Sequence, residues 1–524
     1  MGKYRKSKPP VPPPTSALPN VQAVRASAPG AAYRWWALAA VECGNFVVYM
    51  DGFIVTLALP TMARRFGGTL SVLKWVIVAY LLTVTVTLLP AGRLADIWGR
   101  KRLMVSGLLV LTVSAVLCAL APTVETLIAW RVVQGIGGGL VLANVMAEIT
   151  AVFPTAERRT AMAVNASILA LAQVTGLVLG GLLIDQFGWR SLFVIMLAVS
   201  LLGLLLSLVI LEPGPRPTGR AALDWRGASL AIGAVGAPFL CIEQFSGAVP
   251  TLRSLVLLAG GGAVLALFVV VERRAPRPLL DLSLLRSRAF TCGSVAAACY
   301  FVAAVSCYFL LPLYAQVVLG LSPVRAGVLL APVALLITVS SLAVGRLGGR
   351  FGARTLCTAG MLCVSGALLG LSLLGPGASY AEIVWPLVVL GVGGGLFHPP
   401  NNSATLNNVP SEHLGVANGF LATARNFGQA LGAALAATFL AEGLRAAGAG
   451  EALAGPVGAR LGGPHLEAFL AAQQCAFRLA AALGLVGAVI SGLRGVEVPV
   501  AALASRPSVD ATRGAGGSSG THQR

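Results

Sequence analysis

Charge is scarce in this chain. Asp, Glu, Lys and Arg make up 11% of its 524 residues, while 56% are apolar. Soluble domains carry about 25% charged residues to cover their surface, so a soluble globular protein is excluded. Histidine is rarer still: there are four, and no His-Glu-x-x-His, His-x-x-x-x-Asp or Asp-Asp pairing occurs. Without a cluster of nucleophile, base or metal ligands, a membrane-embedded acyl or glycosyl transferase is unsupported. The chain reads as a non-enzyme, with no metal and no cofactor. Its nine cysteines lie almost entirely inside apolar runs, lack metal-ligand spacing, and read as small packing residues. The first apolar run begins only at Trp36, behind a Pro-rich basic tail, which argues against a cleaved signal peptide.

What the chain does have is a succession of apolar runs of roughly 18 residues or more, each able to cross a hydrocarbon core as a helix. Fourteen are read: 36–59, 72–91, 103–121, 126–147, 160–184, 191–211, 228–245, 255–271, 290–311, 325–344, 355–374, 383–400, 416–440 and 473–493. The expectation is an all-α polytopic membrane protein. With the N-terminus placed in the cytoplasm, 27 of the 38 Lys and Arg fall on inner segments and 9 on outer ones. That bias is what the positive-inside rule requires, and it puts both termini in the cytoplasm of a cell (plasma or inner) membrane. It also accounts for the net charge of +19 as topology-setting and lipid-facing, so no nucleic-acid partner is expected. The external loop at 441–472 is the longest, long enough for a small hairpin or helix over the mouth.

The chain repeats itself. "GRLADIWGRK" at 92–101 returns as "GRLGGRFGAR" at 345–354, an offset of 253, and "GIGGG" at Gly135 returns as "GVGGG" at Gly391, an offset of 256. "PTAER" at Pro154 and "QVTG" at Gln173 find "PSEH" at Pro410 and "QALG" at Gln429, again 256 residues on. Four matches in order at nearly one offset describe two six-helix halves in parallel orientation, as in secondary transporters. Eight spans separate the charged turns where six would suffice, so spans 7 and 8 are an inserted pair. The divisions are a disordered basic tail at 1–35, a first half at 36–211, the inserted pair with its flanking loops at 212–288, a second half at 289–495 and a disordered tail at 496–524.

On these motifs the chain resembles the major facilitator superfamily, and within it the fourteen-helix drug:proton antiporter branch. "GRLADIWGRKR" is similar to the family's loop between spans 2 and 3, "MDGFIVTLALP" (50–60) to the branch's first helix, "RVVQGIGGG" (131–139) to its fourth and "RNFGQALGAAL" (425–435) to its penultimate helix. The fifth-helix Gly-Pro motif of the antiporters survives in its glycines, Gly176, Gly180 and Gly181, but Leu177 stands where proline would bend the helix. The resemblance implies a proton-coupled multidrug efflux transporter, acting as a monomer on small-molecule substrates and protons. A dedicated metabolite exporter or a proton-coupled uptake transporter of the same fold is the alternative.

The residues admit a reading of their own. In the charged turn, Gly92 and Gly99 permit tight reversal, while Asp96 among Arg93, Arg100, Lys101 and Arg102 can make and break ion pairs as the halves rock. The bases alone would serve equally as a topology signal, but an acid does little for orientation, which points to gating for Asp96. The glycine strings, inside apolar helices and without a following Gly-Lys-Ser/Thr, read as close helix packing. Charges at membrane depth are expensive and therefore informative: Glu42, Asp51, Arg131, Glu148, Glu243 and Arg425. Glu42 and Asp51 are nine residues apart, about 180° around a helix, so they face different surroundings. Asp51 is the deeper and is expected to be the coupling acid, with Arg131, at comparable depth, and Gln134 beside it. Arg131 could instead hold a fixed structural ion pair. Arg425, Asn426 and Gln429 form a second-half polar cluster. Glu42, Glu243 and His398 are possible substrate contacts, and His398, before Pro399-Pro400, also fits a satisfied residue at a helix break.

Overall fold

The computed structural model describes residues 31–67, 69–213, 225–243, 252–274, 282–347, 351–407, 409, 414–448 and 463–495. Most of both expected tails, most of the 441–472 loop, and Gly349, the second-half counterpart of Asp96, lie outside the described residues. Every regular element among the described residues is helical. The first group comprises α1 (Ala31–Ile54), α2 (Leu59–Phe66), α3 (Leu70–Leu73), α4 (Trp75–Trp98), α5 (Arg100–Leu120), α6 (Val124–Val152), α7 (Thr155–Phe187) and α8 (Ser191–Ile210). Next come α9 (Trp225–Glu243) and α10 (Leu252–Arg274). The last group is α11 (Arg288–Leu313), α12 (Pro323–Leu347), α13 (Ala353–Leu371), α14 (Tyr380–Leu406), α15 (Leu414–Ala446) and α16 (Gly463–Gly492).

Local chemistry sets the ends. Thr123 with Thr126 caps α6, and Ser379 with Glu382 caps α14, each satisfying backbone N–H groups the first helical turn leaves open. Pro60 lacks an N–H, so the Thr56 carbonyl accepts from Leu59 N–H instead, and α1 passes into α2 through one 3₁₀ turn at Val55–Ala58. Between α4 and α5 a single residue reverses the chain. It is Gly99, at φ +89°, a conformation that a side chain resists. The first helix starts at Ala31, inside the segment expected to be a disordered tail. Arg34 Nη1 donates to Glu157 Oε2 at 2.9 Å and the Trp35 ring meets Phe153 edge-on at 5.3 Å, tying that first turn to α6 and α7.

Twelve helices among the described residues are long and apolar enough to cross a membrane. The inserted pair exists as helices, but neither α9 nor α10 meets that standard over the described residues, so fourteen crossing helices is more than length and composition provide. α9 lies against α10 and also touches α4 and α15, with Phe239 edge-on to Phe427 at 5.9 Å.

The span ending at Pro400 in fact continues as α14 to Leu406, so His398 does not sit at a helix break. Prolines are tolerated inside such helices where neighbouring helices hold the backbone, and α14 is gripped closely by α12 and α13. α7 runs unbroken through Gly176–Gly181, in keeping with leucine at 177.

The glycine strings are where helices meet. A Cβ on Gly135 would lie 2.8 Å from the Tyr80 carbonyl of α4, and one on Gly137 2.9 Å from the Gly107 carbonyl of α5. The later string repeats this: Gly391 would meet the Val333 carbonyl of α12 at 2.8 Å and Gly393 the Gly360 carbonyl of α13 at 2.7 Å. Thus α6 is clasped by α4 and α5 as α14 is by α12 and α13. The two groups join through α7 on α12 and α4 on α15. At the end of the bundle far from the start of α1, Gln316 Nε2 donates to Leu57 O at 3.1 Å, Lys74 Nζ to Thr438 Oγ1 at 3.1 Å, and Val324 N to Asp185 Oδ2 at 3.3 Å.

Backbone cannot yield as a flexible side chain can, so Gly137→Ala should cost about 1–3 kcal/mol of stability. Gly366→Ala, where a Cβ would meet nothing within 4 Å, should be neutral or stabilising by about 0.5–1 kcal/mol. Thermal unfolding of the two purified variants makes the comparison, and equal midpoints would contradict the packing account.

Candidate functional site

The densest polar chemistry inside the bundle is built by α1, α4 and α6. Asp51 of α1 and Arg131 of α6 both have fully buried side chains, and Arg131 Nη1 lies 2.6 and 2.7 Å from the two Asp51 carboxylate oxygens. The same guanidinium donates from Nε to the Val76 carbonyl at 2.8 Å and from Nη1 to Gln134 Oε1 at 2.7 Å, one helical turn away. Its Nη2 has no hydrogen-bond partner. The Tyr80 ring of α4 lies over the guanidinium, 4.1 Å from its carbon, and Phe193 lies at 5.9 Å. Gln134 in turn reaches Met196 Sδ at 3.8 Å, and Cys118 Sγ approaches Gln134 Oε1 at 3.7 Å.

Such a pair is coupled tightly because water is excluded: the desolvation already suffered is recovered only while both charges stay together. The Tyr80 hydroxyl donates to the Val48 carbonyl at 3.2 Å, and Gly138 leaves room for it. Tyr80 also lines a small cavity shared with Tyr49, Gly52 and Phe53 of α1 and with Asn426 and Gln429 of α15. One aromatic ring therefore touches the buried ion pair and the cavity.

The remaining sequence-derived candidates divide. Glu42 is buried apart from Asp51, its oxygens accepting from Asn45 Nδ2 at 2.9 Å and Asn165 Nδ2 at 2.7 Å. It faces α7, while Asp51 faces α6, as half a turn of separation dictates. Gly176 and Gly180 pack on Met50 and Ile54 of α1, and Gly181 on Pro323 and Val324 of α12. In the charged turn, Gly92 and Arg93 belong to α4 and Arg100 opens α5, its carbonyl accepting from Asn144 Nδ2 at 2.9 Å. Glu148, half-buried near the end of α6, has Arg100 as its charged neighbour. The side chains of Asp96 and Glu243 lie outside the described residues.

In the second group, Gln429 and Asn426 reach the cavity, and Asn426 Nδ2 also donates to the Ala422 carbonyl at 2.9 Å. Arg425 is the charged neighbour of His398, whose ring sits 4.5 Å from Tyr300, 5.2 Å from Phe301 and 6.0 Å from Phe397. Sequence reasoning missed Tyr80, because a tyrosine in an apolar helix carries no spacing signal. Asn45 and Asn165 were missed too, although Asn45, three residues after Glu42, was a readable i,i+3 partner. No group of three His, Cys, Asp or Glu able to hold a metal occurs among the described residues.

The family model of the Major Facilitator Superfamily matches residues 41–433. The chain belongs to that superfamily. It is 33% identical to Multidrug resistance protein Stp of Mycobacterium tuberculosis over 413 residues, covering 78% of this chain and 76% of Stp. It is 30% identical to Riboflavin transporter RibZ of Clostridioides difficile over 415 residues, 78% of this chain and 89% of RibZ. The inward-facing, unoccupied crystal structure of a bacterial homologue of the human lysosomal transporter Spinster superposes with TM-score 0.60 at 16% identity, covering 92% of this chain and 100% of that one. As a superfamily member the chain is a multi-pass membrane transporter, not an enzyme.

Removing one partner of a buried pair leaves the other charge uncompensated. Arg131→Met should therefore destabilise by about 3–5 kcal/mol, whereas Asp51→Leu combined with Arg131→Met should recover most of that loss. Thermal unfolding of the purified variants tests this. A double variant as unstable as Arg131→Met would mean that the two charges are not held by each other.

Proposed function

We propose that this chain exports lipophilic or amphiphilic small molecules by alternating access, in exchange for protons. The observation that carries the reading is the Asp51–Arg131 pair, fully buried and parted from the central cavity by Tyr80. A proton taken by Asp51 cancels its charge and leaves Arg131 held by the Val76 carbonyl, Gln134 and the Tyr80 ring alone. A substrate pressing on Tyr80 from the cavity favours the paired, deprotonated state. Substrate and proton then exclude one another, which is the requirement for antiport. One proton moving down ~100 mV supplies about 2.3 kcal/mol, enough for more than tenfold accumulation at roughly 1.4 kcal/mol per decade.

Alternating access needs two seals. The bonds from Gln316 to Leu57, from Lys74 to Thr438 and from the Val324 N–H to Asp185 close one end, which the Lys and Arg distribution assigns to the outside. Gly176, Gly180, Gly181 and Leu177 support that closure by holding α7 against α1 and α12. The turn of Gly92, Arg93, Asp96, Gly99 and Arg100 serves the opposite seal, with the one-residue reversal at Gly99 as its pivot. In this reading α9 and α10 complete fourteen spans, inserted at 212–288 between halves at 36–211 and 289–495. Both termini are cytoplasmic, and the unit is one chain in the cell membrane. Relatives named for multidrug resistance support export. A relative named for riboflavin transport supports a second reading, a transporter dedicated to one metabolite.

The deciding experiment is substrate-induced proton release from the purified protein in detergent, screened with a panel of lipophilic dyes and antibiotics. Asp51→Asn should abolish release while the variant remains folded, and Asp51→Glu should retain part of it with an altered pH dependence. Undiminished release in Asp51→Asn would move the coupling role to Glu42 or Glu243. Release provoked by a single compound of the panel would favour the dedicated transporter.

A further inference from the structure

We propose that Gln429 recognises the substrate, and that what it recognises is an uncharged amide-like edge: a lactam, imide or carboxamide with a donor beside an acceptor. The inference rests on the reading of the central cavity as the substrate site and deepens it. Every residue that lines the cavity is uncharged. Gln429 is 8% exposed, and its side-chain amide makes no hydrogen bond among the described residues. Its neighbours on the wall are committed: Asn426 Nδ2 donates to the Ala422 carbonyl, and the Tyr80 hydroxyl to the Val48 carbonyl. Buried polar groups are paired as a rule, so a buried amide open at both its oxygen and its nitrogen beside a cavity marks a place for a partner from outside the chain.

The internal repeat supplies a second observation. Gln173 on α7 and Gln429 on α15 stand 256 residues apart, and Phe53 on α1 and Tyr308 on α11 stand 255 apart. The two rings meet edge-on at 5.0 Å where the helix groups face each other. Gln173 is the side-chain partner of the Tyr308 hydroxyl. Gln429, its counterpart, shares the cavity wall with Phe53, the counterpart of Tyr308. Phenylalanine offers no hydroxyl. One glutamine is therefore engaged within the protein and the other is left open, and the cavity lies on the open side. Phe53 and Gln429 belong to opposite halves, so rocking that widens this small cavity parts them and uncovers the amide. An ion arriving there would lose its hydration and meet no opposite charge, whereas a lactam N–H and C=O match Gln429 Oε1 and Nε2.

The test uses two neutral fluorescent bicycles that differ at one ring position: 7-amino-4-methyl-2-quinolone, a lactam with an N–H, and 7-amino-4-methylcoumarin, the lactone with oxygen in its place. Binding to the purified full-length protein is read by fluorescence polarisation. The lactam should bind roughly fivefold or more tightly than the lactone, the worth of one neutral hydrogen bond. Gln429→Met keeps the side chain's length and removes both hydrogen-bonding atoms. It should weaken the lactam until the two bind alike, and unfold at or above the wild-type temperature because it removes an unpartnered amide. Gln173→Met leaves the Tyr308 hydroxyl unpaired, so it should unfold at a lower temperature yet keep the preference for the lactam. Equal binding of lactam and lactone to the wild type overturns the proposal, as do failure of both to bind and a preference that survives Gln429→Met. Loss of stability in Gln429→Met as large as in Gln173→Met also overturns it, by making the amide a structural one. Equilibrium binding needs no proton gradient, so its outcome is independent of whether the chain exports, which proton release decides.

Discussion

A carboxylate and a guanidinium in contact, sealed from water by a tyrosine ring, constrain much of the first helix group. Asp51 fixes the rotation of α1, Arg131 fixes that of α6, and the Val76 carbonyl ties α4 to the same point. Neither charge can leave the interior without its partner, so the helices carrying them move together or the pair must first be neutralised. In the proposed cycle that neutralisation is protonation of Asp51. A structural ion pair of this kind is thus also a place where a proton can change helix packing.

Glycine makes the proximity possible. α6 carries Arg131 and, one turn on, the string Gly135–Gly139, which brings its backbone against α4 and α5. Tyr80 can lie on the guanidinium because α4 approaches this closely, and its hydroxyl fits because residue 138 has no side chain. α14 repeats the arrangement with Gly391–Gly395, but there the aromatic cluster of Tyr300, Phe301 and His398 takes the place of an ion pair. The repeated architecture carries different chemistry on its two sides: a buried ion pair in one, and an aromatic cluster in the other.

Much of this could be read from the residues. An acid about 15 positions into an apolar run, and an arginine a few residues into another, could only be placed by pairing, since isolated charges at that depth are costly. The glycine strings declared close packing, and their recurrence some 256 residues on declared the repeated architecture. What escaped notice had no periodic or electrostatic mark. Tyr80 looks like any aromatic residue in an apolar helix until its two neighbours are known. Pro399-Pro400 read as a helix end because local propensity disfavours proline within a helix, and α14 overrides that through its grip on α12 and α13. The early start of α1 depends on Arg34 meeting Glu157, 123 residues away, which no local pattern reveals.

The central claim is that Asp51 is the group that gains and loses the transported proton. Infrared difference spectroscopy tests it directly, by recording the carbonyl stretch of a protonated carboxylic acid as purified protein in lipid is acidified. The account predicts a band that is lost in Asp51→Asn and kept in Glu42→Gln. A band that survives Asp51→Asn and disappears in Glu42→Gln would contradict it.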